Sequence, residues 1–280
     1  MYQAPSRRTS YRQQQPQPSK SLLHRLMTRK EFLATVGVIL ISILVFAFYE
    51  HHRTAKSTVQ KPSNTSAAAK SSDNTFNKKK YSTGDANSIW VVVNKPLPLA
   101  PLTYAPSDLV TPSIPLRVPG NESMQVRKVT ASALEQLFTA AKADGLHLML
   151  ASGYRSYTYQ VGLYTGYVKT QGQSSADQAS ARPGHSEHQT GLAADIEPDT
   201  RKCELDACFG QLSEGIWLAA NAYKFGFIIR YPADKVALTG YEYEPWHVRY
   251  IGVDLATELH KTGVKTLEEF FNLKSGQKYN

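Results

Sequence analysis

The C-terminal two thirds of this 280-residue chain reads as an α+β domain, preceded by a single transmembrane helix. Three observations predict this. From about residue 88 onward, helix-period stretches interleave with short apolar runs, some close enough in sequence to be return strands of one sheet. Residues 32–49 are eighteen positions without a charge, with Thr35 and Ser42 as the only aliphatic hydroxyls, at the short end of what spans a ~30 Å hydrocarbon core. Residues 50–87, rich in Ser, Thr, Asn, Lys and Ala, nearly lack large apolar side chains and cannot bury enough surface to fold. The expected organisation is a basic tail (1–31), a membrane segment (32–49), a flexible stalk (50–87), a folded domain (88–274) and a short tail (275–280).

The thirty residues before Glu31 carry seven basic side chains and no acidic one, which keeps the N-terminus in the cytoplasm and sends the domain across the membrane. No small-x-small cleavage site follows Phe48 closely, so an uncleaved signal anchor is expected rather than a removed signal peptide. Residues 13–19 are a Gln/Pro tract read as disordered. The net charge of +9 does not indicate nucleic-acid binding. Residues 1–80 hold 14 Lys+Arg against 3 Asp+Glu (+11), whereas residues 81–280 hold 18 against 20 (−2). The positive charge belongs to the tail and stalk, where it either meets anionic lipid inside and anionic polymer outside or simply solvates a disordered segment.

Within the domain, residues 89–93 read as a strand, followed by a proline-rich crossing to Pro119. A helix is expected over 123–143, with Leu134, Leu137, Phe138 and Ala141 on one face and Gly145 at its end. Residues 146–151 form a strand that delivers Tyr154 and Arg155 into a loop, and a second helix covers 158–170. Ser213 caps a third helix that ends at Gly226, and residues 227–231 are a strand. Thr266 and Glu269 have capping-box spacing for a last short helix. Cys203 and Cys208 are the only cysteines; without nearby His partners they make a poor zinc site, and outside the cytoplasm a local disulfide is expected.

Two compact segments carry the chemistry. Ser186-Glu187-His188-Gln189-Thr190-Gly191-Leu192-Ala193-Ala194-Asp195 contains one imidazole and one carboxylate, and Glu244-Pro245-Trp246-His247 supplies another of each. Two imidazoles and a carboxylate are a ligand set that leaves a zinc ion one open position. On a strand after Gly191, Asp195 and the small Ala193 share one face, opposite Leu192, Ala194 and Ile196. Residues three apart on a regular strand point to opposite faces. Glu244 and His247 can therefore meet one ion only if the backbone bends at Pro245-Trp246. Each of these residues alone has an ordinary alternative: a satisfied core histidine, or a buried hydrogen-bonded carboxylate.

Ser186-x-His188-x-x-Gly191-x-Ala193-x-Asp195 followed by Glu244-x-x-His247 resembles the motif pair of the zinc D-alanyl-D-alanine carboxypeptidases of the vancomycin-resistance type, with related L,D-carboxypeptidases and endolysin peptidases. The similarity extends through Ser152-Gly153-Tyr154-Arg155-Ser156-Tyr157-Thr158-Tyr159-Gln160, Arg182-Pro183-Gly184-His185, residues 221–227 and Thr239-Gly240-Tyr241, covering roughly residues 90–273. It implies a hedgehog/D,D-peptidase-like fold, with a small antiparallel sheet carrying one Zn2+ per chain on His188, Asp195 and His247. It implies Glu244 as general base, Arg155 as the cation that stabilises the oxyanion or holds the substrate carboxylate, and Gln160 and Ser186 as substrate-binding residues. His185 is not counted as a ligand. The implied substrate is a peptidoglycan stem peptide ending in D-Ala-D-Ala, met outside the cell membrane by a single-pass protein. The alternatives are L,D-carboxypeptidase or wall endopeptidase action on the same site, or a non-catalytic zinc scaffold that binds wall polymer or a partner.

Overall fold

The computed structural model describes residues 76–279. The expected cytoplasmic tail, the membrane segment and the stalk before Phe76 lie outside the described residues, and among the described residues no helix is long and apolar enough to cross a membrane.

In chain order, short strands β1 (Leu109–Val110) and β2 (Val126–Arg127) pair antiparallel, and helix α1 (Lys128–Ala143) follows. Strand β3 (Leu148–Ser152) leads to helices α2 (Tyr157–Gln171) and α3 (Gln173–Ala179). Next come β4 (Ala193–Pro198), α4 (Ser213–Asn221), β5 (Phe227–Tyr231), α5 (Val236–Thr239), β6 (Glu244–Tyr250), α6 (Val253–Thr262) and α7 (Leu267–Phe271). The main sheet has the order β3-β4-β6-β5 and every neighbouring pair is antiparallel.

The alternation of side chains gives this sheet two unlike faces. Leu148 and Leu150 of β3, Ala194 and Ile196 of β4, Phe227 of β5 and Val248 of β6 join the core with Leu134, Leu137, Phe138 and Ala141 of α1 and Leu218 of α4. Burying a side chain such as Leu134 or Leu137 contributes about 1.5–3 kcal/mol. The intervening positions, Asp195, Arg230, His247 and Arg249, are polar and also buried. The polar face therefore has to satisfy its charges internally.

Several elements differ from expectation. Residues 89–93 are not a strand, although 90–93 are buried: the Ile89 and Val91 carbonyls accept from Arg249 Nη2 at 3.1 and 2.7 Å. Helix α1 starts at Lys128, not near Ser123, because the Ser123 and Gln125 carbonyls accept from the Gly153 and Tyr154 amides, both at 2.6 Å. Ser213 is the first residue of α4 and not its cap; Leu212 holds that position without a side-chain hydrogen bond. Helix α3 was not anticipated; Gly172, at φ 78°, separates it from α2. By contrast, Gly145 (φ 78°) ends α1 through its left-handed turn, and Thr266 accepts from the Glu269 amide at 3.2 Å.

Both ends of the domain reach further than the composition indicated. The segment expected as stalk to residue 87 is packed from Phe76 onward: Phe76 stacks 5.7 Å from Trp90, Tyr81 meets Trp90 edge-on at 5.0 Å, and Lys78 Nζ donates to Phe270 O. At the other end, the Gly276 amide donates to Leu238 O at 2.7 Å, and Tyr279 Oη accepts from the Arg182 amide at 2.9 Å.

Gly191, between the first ligand-bearing turn and β4, adopts φ 65°, and a Cβ there would meet Arg127 Cγ at 2.9 Å and Leu109 Cδ2 at 3.1 Å. Gly191→Ala is expected to destabilise the protein by at least about 1–2 kcal/mol from the left-handed backbone alone. Denaturant unfolding of the full chain measures this, and an unchanged midpoint would contradict the close packing described.

Candidate active site

Each of the three expected ligands stands on its own element. His188 lies in a 3-10 turn (Glu187–Thr190) that Gly191 closes, Asp195 is in β4, and His247 in β6 is the register partner of Asp195. Both strand pairs beside them are irregular. Between Leu150↔Ile196 and Ser152↔Asp195, β3 uses one residue more than β4. Between Ile229↔Val248 and Tyr231↔Glu244, β6 uses two residues more than β5. This second irregularity is the bend that the Glu244–His247 spacing required, and it turns both side chains to one place.

The result is a tight cluster. His188 Nε2 lies 3.3 Å from Asp195 Oδ2, and His247 Nδ1 lies 3.1 Å from Asp195 Oδ1 and 3.6 Å from Glu244 Oε2. The imidazoles meet nearly perpendicular, 4.9 Å apart. One ligand atom from each of His188, Asp195 and His247 fits within 4.8 Å of the others, and all three residues are buried. The far nitrogen of His188, Nδ1, donates to Gly153 O at 2.6 Å, which leaves Nε2 to face the cluster. Gly153 is needed there, since a Cβ would collide with the Gln125 carbonyl.

The electrostatics of the cluster favour a bound cation. Burial lowers the His188 pKa to about 4, so that imidazole is neutral and can act as a ligand. Burial opposes charge on His247 too, but Asp195, Glu187 and Glu244 together outweigh it and raise its pKa to about 9. Burial pushes Glu244 up to about 7, with His247 opposing and Asp195 adding to the shift. Asp195 Oδ1 is buried without a hydrogen-bond partner, a costly state that a bound cation relieves. Two imidazole nitrogens, one carboxylate and an orphaned oxygen fit zinc with a position left open.

These residues line a cleft of about 320 Å³. Arg155 and Ser186 line it as expected, and so does Trp246. Gln160 does not face the cleft: it is fully buried, its Nε2 donates to Ser180 Oγ and Ala181 O, and its Oε1 accepts from Arg155 Nη1 at 3.3 Å. It holds Arg155. His185 also lines the cleft, but its Nδ1 lies 3.1 Å from Asn94 O and it is not in the ligand cluster. Leu163, Tyr167, Leu205 and Tyr231 also line it and were not foreseen, as no motif marks them. Leu205 sits in the loop closed by the Cys203–Cys208 disulfide, which is formed as expected.

A cleft with a His-Asp-His cluster suited to zinc and a further carboxylate, on the polar face of a small antiparallel sheet, is the arrangement of a metallopeptidase site. Comparison with known proteins specifies which. The VanY family, described as D-alanyl-D-alanine carboxypeptidase, matches residues 123–253. YodJ of Bacillus subtilis is 46% identical over 187 residues, which cover 66% of this chain and 67% of that protein. The LdcB LD-carboxypeptidase is 43% identical, with TM-score 0.64 over 68% of this chain and 88% of that one. A vancomycin-resistance D,D-pentapeptidase VanY solved in complex with Zn(II) is 34% identical, with TM-score 0.53 over 65% and 98%. The chain belongs to the VanY family of zinc carboxypeptidases.

Because His247 carries a proton in the metal-free protein, zinc must displace it. Zinc affinity is expected to rise with pH, roughly tenfold per unit for one displaced proton, and to level off above about pH 9. Competition with a chromophoric chelator measures this. Constant affinity across neutral and mildly alkaline pH would mean that zinc displaces no proton from His247, and would contradict its place among the ligands.

Proposed function

We propose that the chain hydrolyses the terminal D-Ala-D-Ala bond of peptidoglycan stem peptides, outside the cell membrane to which residues 32–49 anchor it. The observation that carries the catalytic part is Glu244. Its carboxylate reaches 3.6 Å from a ligand nitrogen yet keeps contact with the cleft, with its side chain 28% exposed against 4–7% for the ligands. A non-catalytic scaffold has no use for a carboxylate left over beside three ligands.

Zinc held by His188, Asp195 and His247 would polarise the scissile carbonyl and acidify a water. Glu244 accepts the water proton and returns it to the leaving amine. Burial pushes its pKa up to about 7, and a bound cation would lower it, leaving the carboxylate ionised and able to accept. Arg155, steadied by Gln160, offers a fixed positive charge to the oxyanion or to the substrate's terminal carboxylate. Ser186 lies where a hydroxyl can hydrogen-bond the peptide.

The family description and the VanY relative support D,D specificity. The similarity to LdcB favours an L,D reading of the same site. Mass spectrometry of pentapeptide and tetrapeptide stems incubated with the zinc-loaded full chain decides between them. Loss of the terminal D-alanine from the pentapeptide is expected, and attack on the tetrapeptide alone would establish the L,D alternative. Glu244→Gln should keep its zinc and lose about 10²- to 10⁴-fold in turnover. Loss of zinc would instead make Glu244 a ligand, and unchanged turnover would overturn its role as base.

The membrane placement is supported by the uncharged run, the basic flank and a disulfide suited to an oxidising compartment. The full-length chain is expected in the membrane fraction, with its domain open to protease from outside. A shortened, freely soluble chain would contradict the anchor.

A further inference from the structure

Glu187 adjoins the ligand His188 in sequence, yet its carboxylate is directed at the other histidine. Its side chain is completely buried. Oε1 accepts from Arg230 Nε and from Arg249 Nη1, each at 2.8 Å. Oε2 has no hydrogen-bond partner and lies 3.6 Å from His247 Nε2, which is also buried and unpartnered. His247 has turned its Nδ1 to Asp195 and Glu244, so Nε2 is the nitrogen left over. Two orphaned polar atoms of complementary chemistry thus face each other just beyond hydrogen-bond distance.

We propose that Glu187 is a positioning residue of the metal centre: it accepts the Nε2–H of His247 and so fixes the tautomer that presents the Nδ1 lone pair to the ion. The inference rests on the zinc reading of the His188–Asp195–His247 cluster. Its surroundings keep Glu187 ionised and immobile. Arg230 donates to both oxygens of Glu268, at 2.9 and 2.7 Å, and Glu268 also accepts from Asn94 Nδ2 at 3.0 Å. Arg249 is held by the Ile89 and Val91 carbonyls. Two guanidinium and two carboxylate groups balance among fully buried side chains, and the acceptor left over on Glu187 is the oxygen beside His247. A carboxylate behind a ligating imidazole fixes the ring and raises its basicity, and removing such a partner typically costs about 10- to 100-fold in metal affinity.

The test uses the full chain and zinc alone as the probe, with affinity read by chelator competition. Glu187→Gln is expected to weaken zinc binding by about 10- to 100-fold. Glu268→Gln cuts the same buried network at its far end, touching Arg230 but not His247. It should lower the melting temperature while keeping wild-type zinc affinity. Equal affinity losses in both variants, or none in Glu187→Gln, would reduce Glu187 to a structural role and overturn the proposal. Nitrogen NMR of the zinc-loaded wild type provides a readout that needs no variant to fold. The His247 Nε2 should carry a slowly exchanging proton, and metal on Nε2 with a proton on Nδ1 would refute the assignment. A wild type that binds no zinc would instead remove the metal reading beneath it.

Discussion

The Asp195 carboxylate, buried on β4 between two imidazoles, is the constraint around which the rest of the structure is arranged. A charge in that position cannot be left unpaired. Its two oxygens lie within 3.3 Å of His188 Nε2 and His247 Nδ1, yet Oδ1 has no hydrogen bond. Both histidines must therefore be brought to it. His188 arrives through the left-handed turn at Gly191, and His247 through the surplus residues that β6 carries opposite β5. The same distortion presents Glu244 to the cleft, so one local irregularity places both a candidate metal ligand and the proposed base.

The second demand comes from having two buried faces on one small sheet. The apolar face is covered by α1 and α4 in the ordinary way. On the other, Arg230 and Arg249 are fully buried, and their charges are met by Glu187, Glu268 and backbone carbonyls. This explains why residues 89–93 cover the sheet without joining it: their carbonyls are acceptors for Arg249. A buried ion network of this kind contributes little to net stability compared with an apolar core, but removing one member leaves a charge uncompensated and is strongly destabilising. Of its members, Glu187 is the one that faces His247.

The α+β class of the domain, the gathering of His188, Asp195 and His247, and the bend between Glu244 and His247 were legible in the sequence because each follows from side-chain alternation or from a motif of fixed spacing. Phe227–Tyr231 could be read to the residue, since a largely apolar run follows the glycine that was expected to end the preceding helix. What could not be read depends on contacts distant in sequence. Phe76 and Tyr81 are isolated aromatics in a polar stretch, and only Trp90 and Phe270 give them a place to pack. Gln160 matched a substrate-binding position, yet its burial against Ser180 and Ala181 depends on an α3 that was not foreseen. Glu187 stood inside the motif, but the two arginines that define its environment are 43 and 62 residues away.

The most direct measurement is thermal unfolding of the full chain and of Asp195→Asn, each with and without zinc. The substitution keeps the side-chain size and removes the charge that the cluster is built to neutralise. Zinc at about a hundred times its dissociation constant should stabilise the wild type by about 2.7 kcal/mol and raise its melting temperature, whereas Asp195→Asn should melt at one temperature with or without the metal. Equal zinc stabilisation of both proteins would contradict the account, because the ion would then be held by something other than the carboxylate between the two histidines.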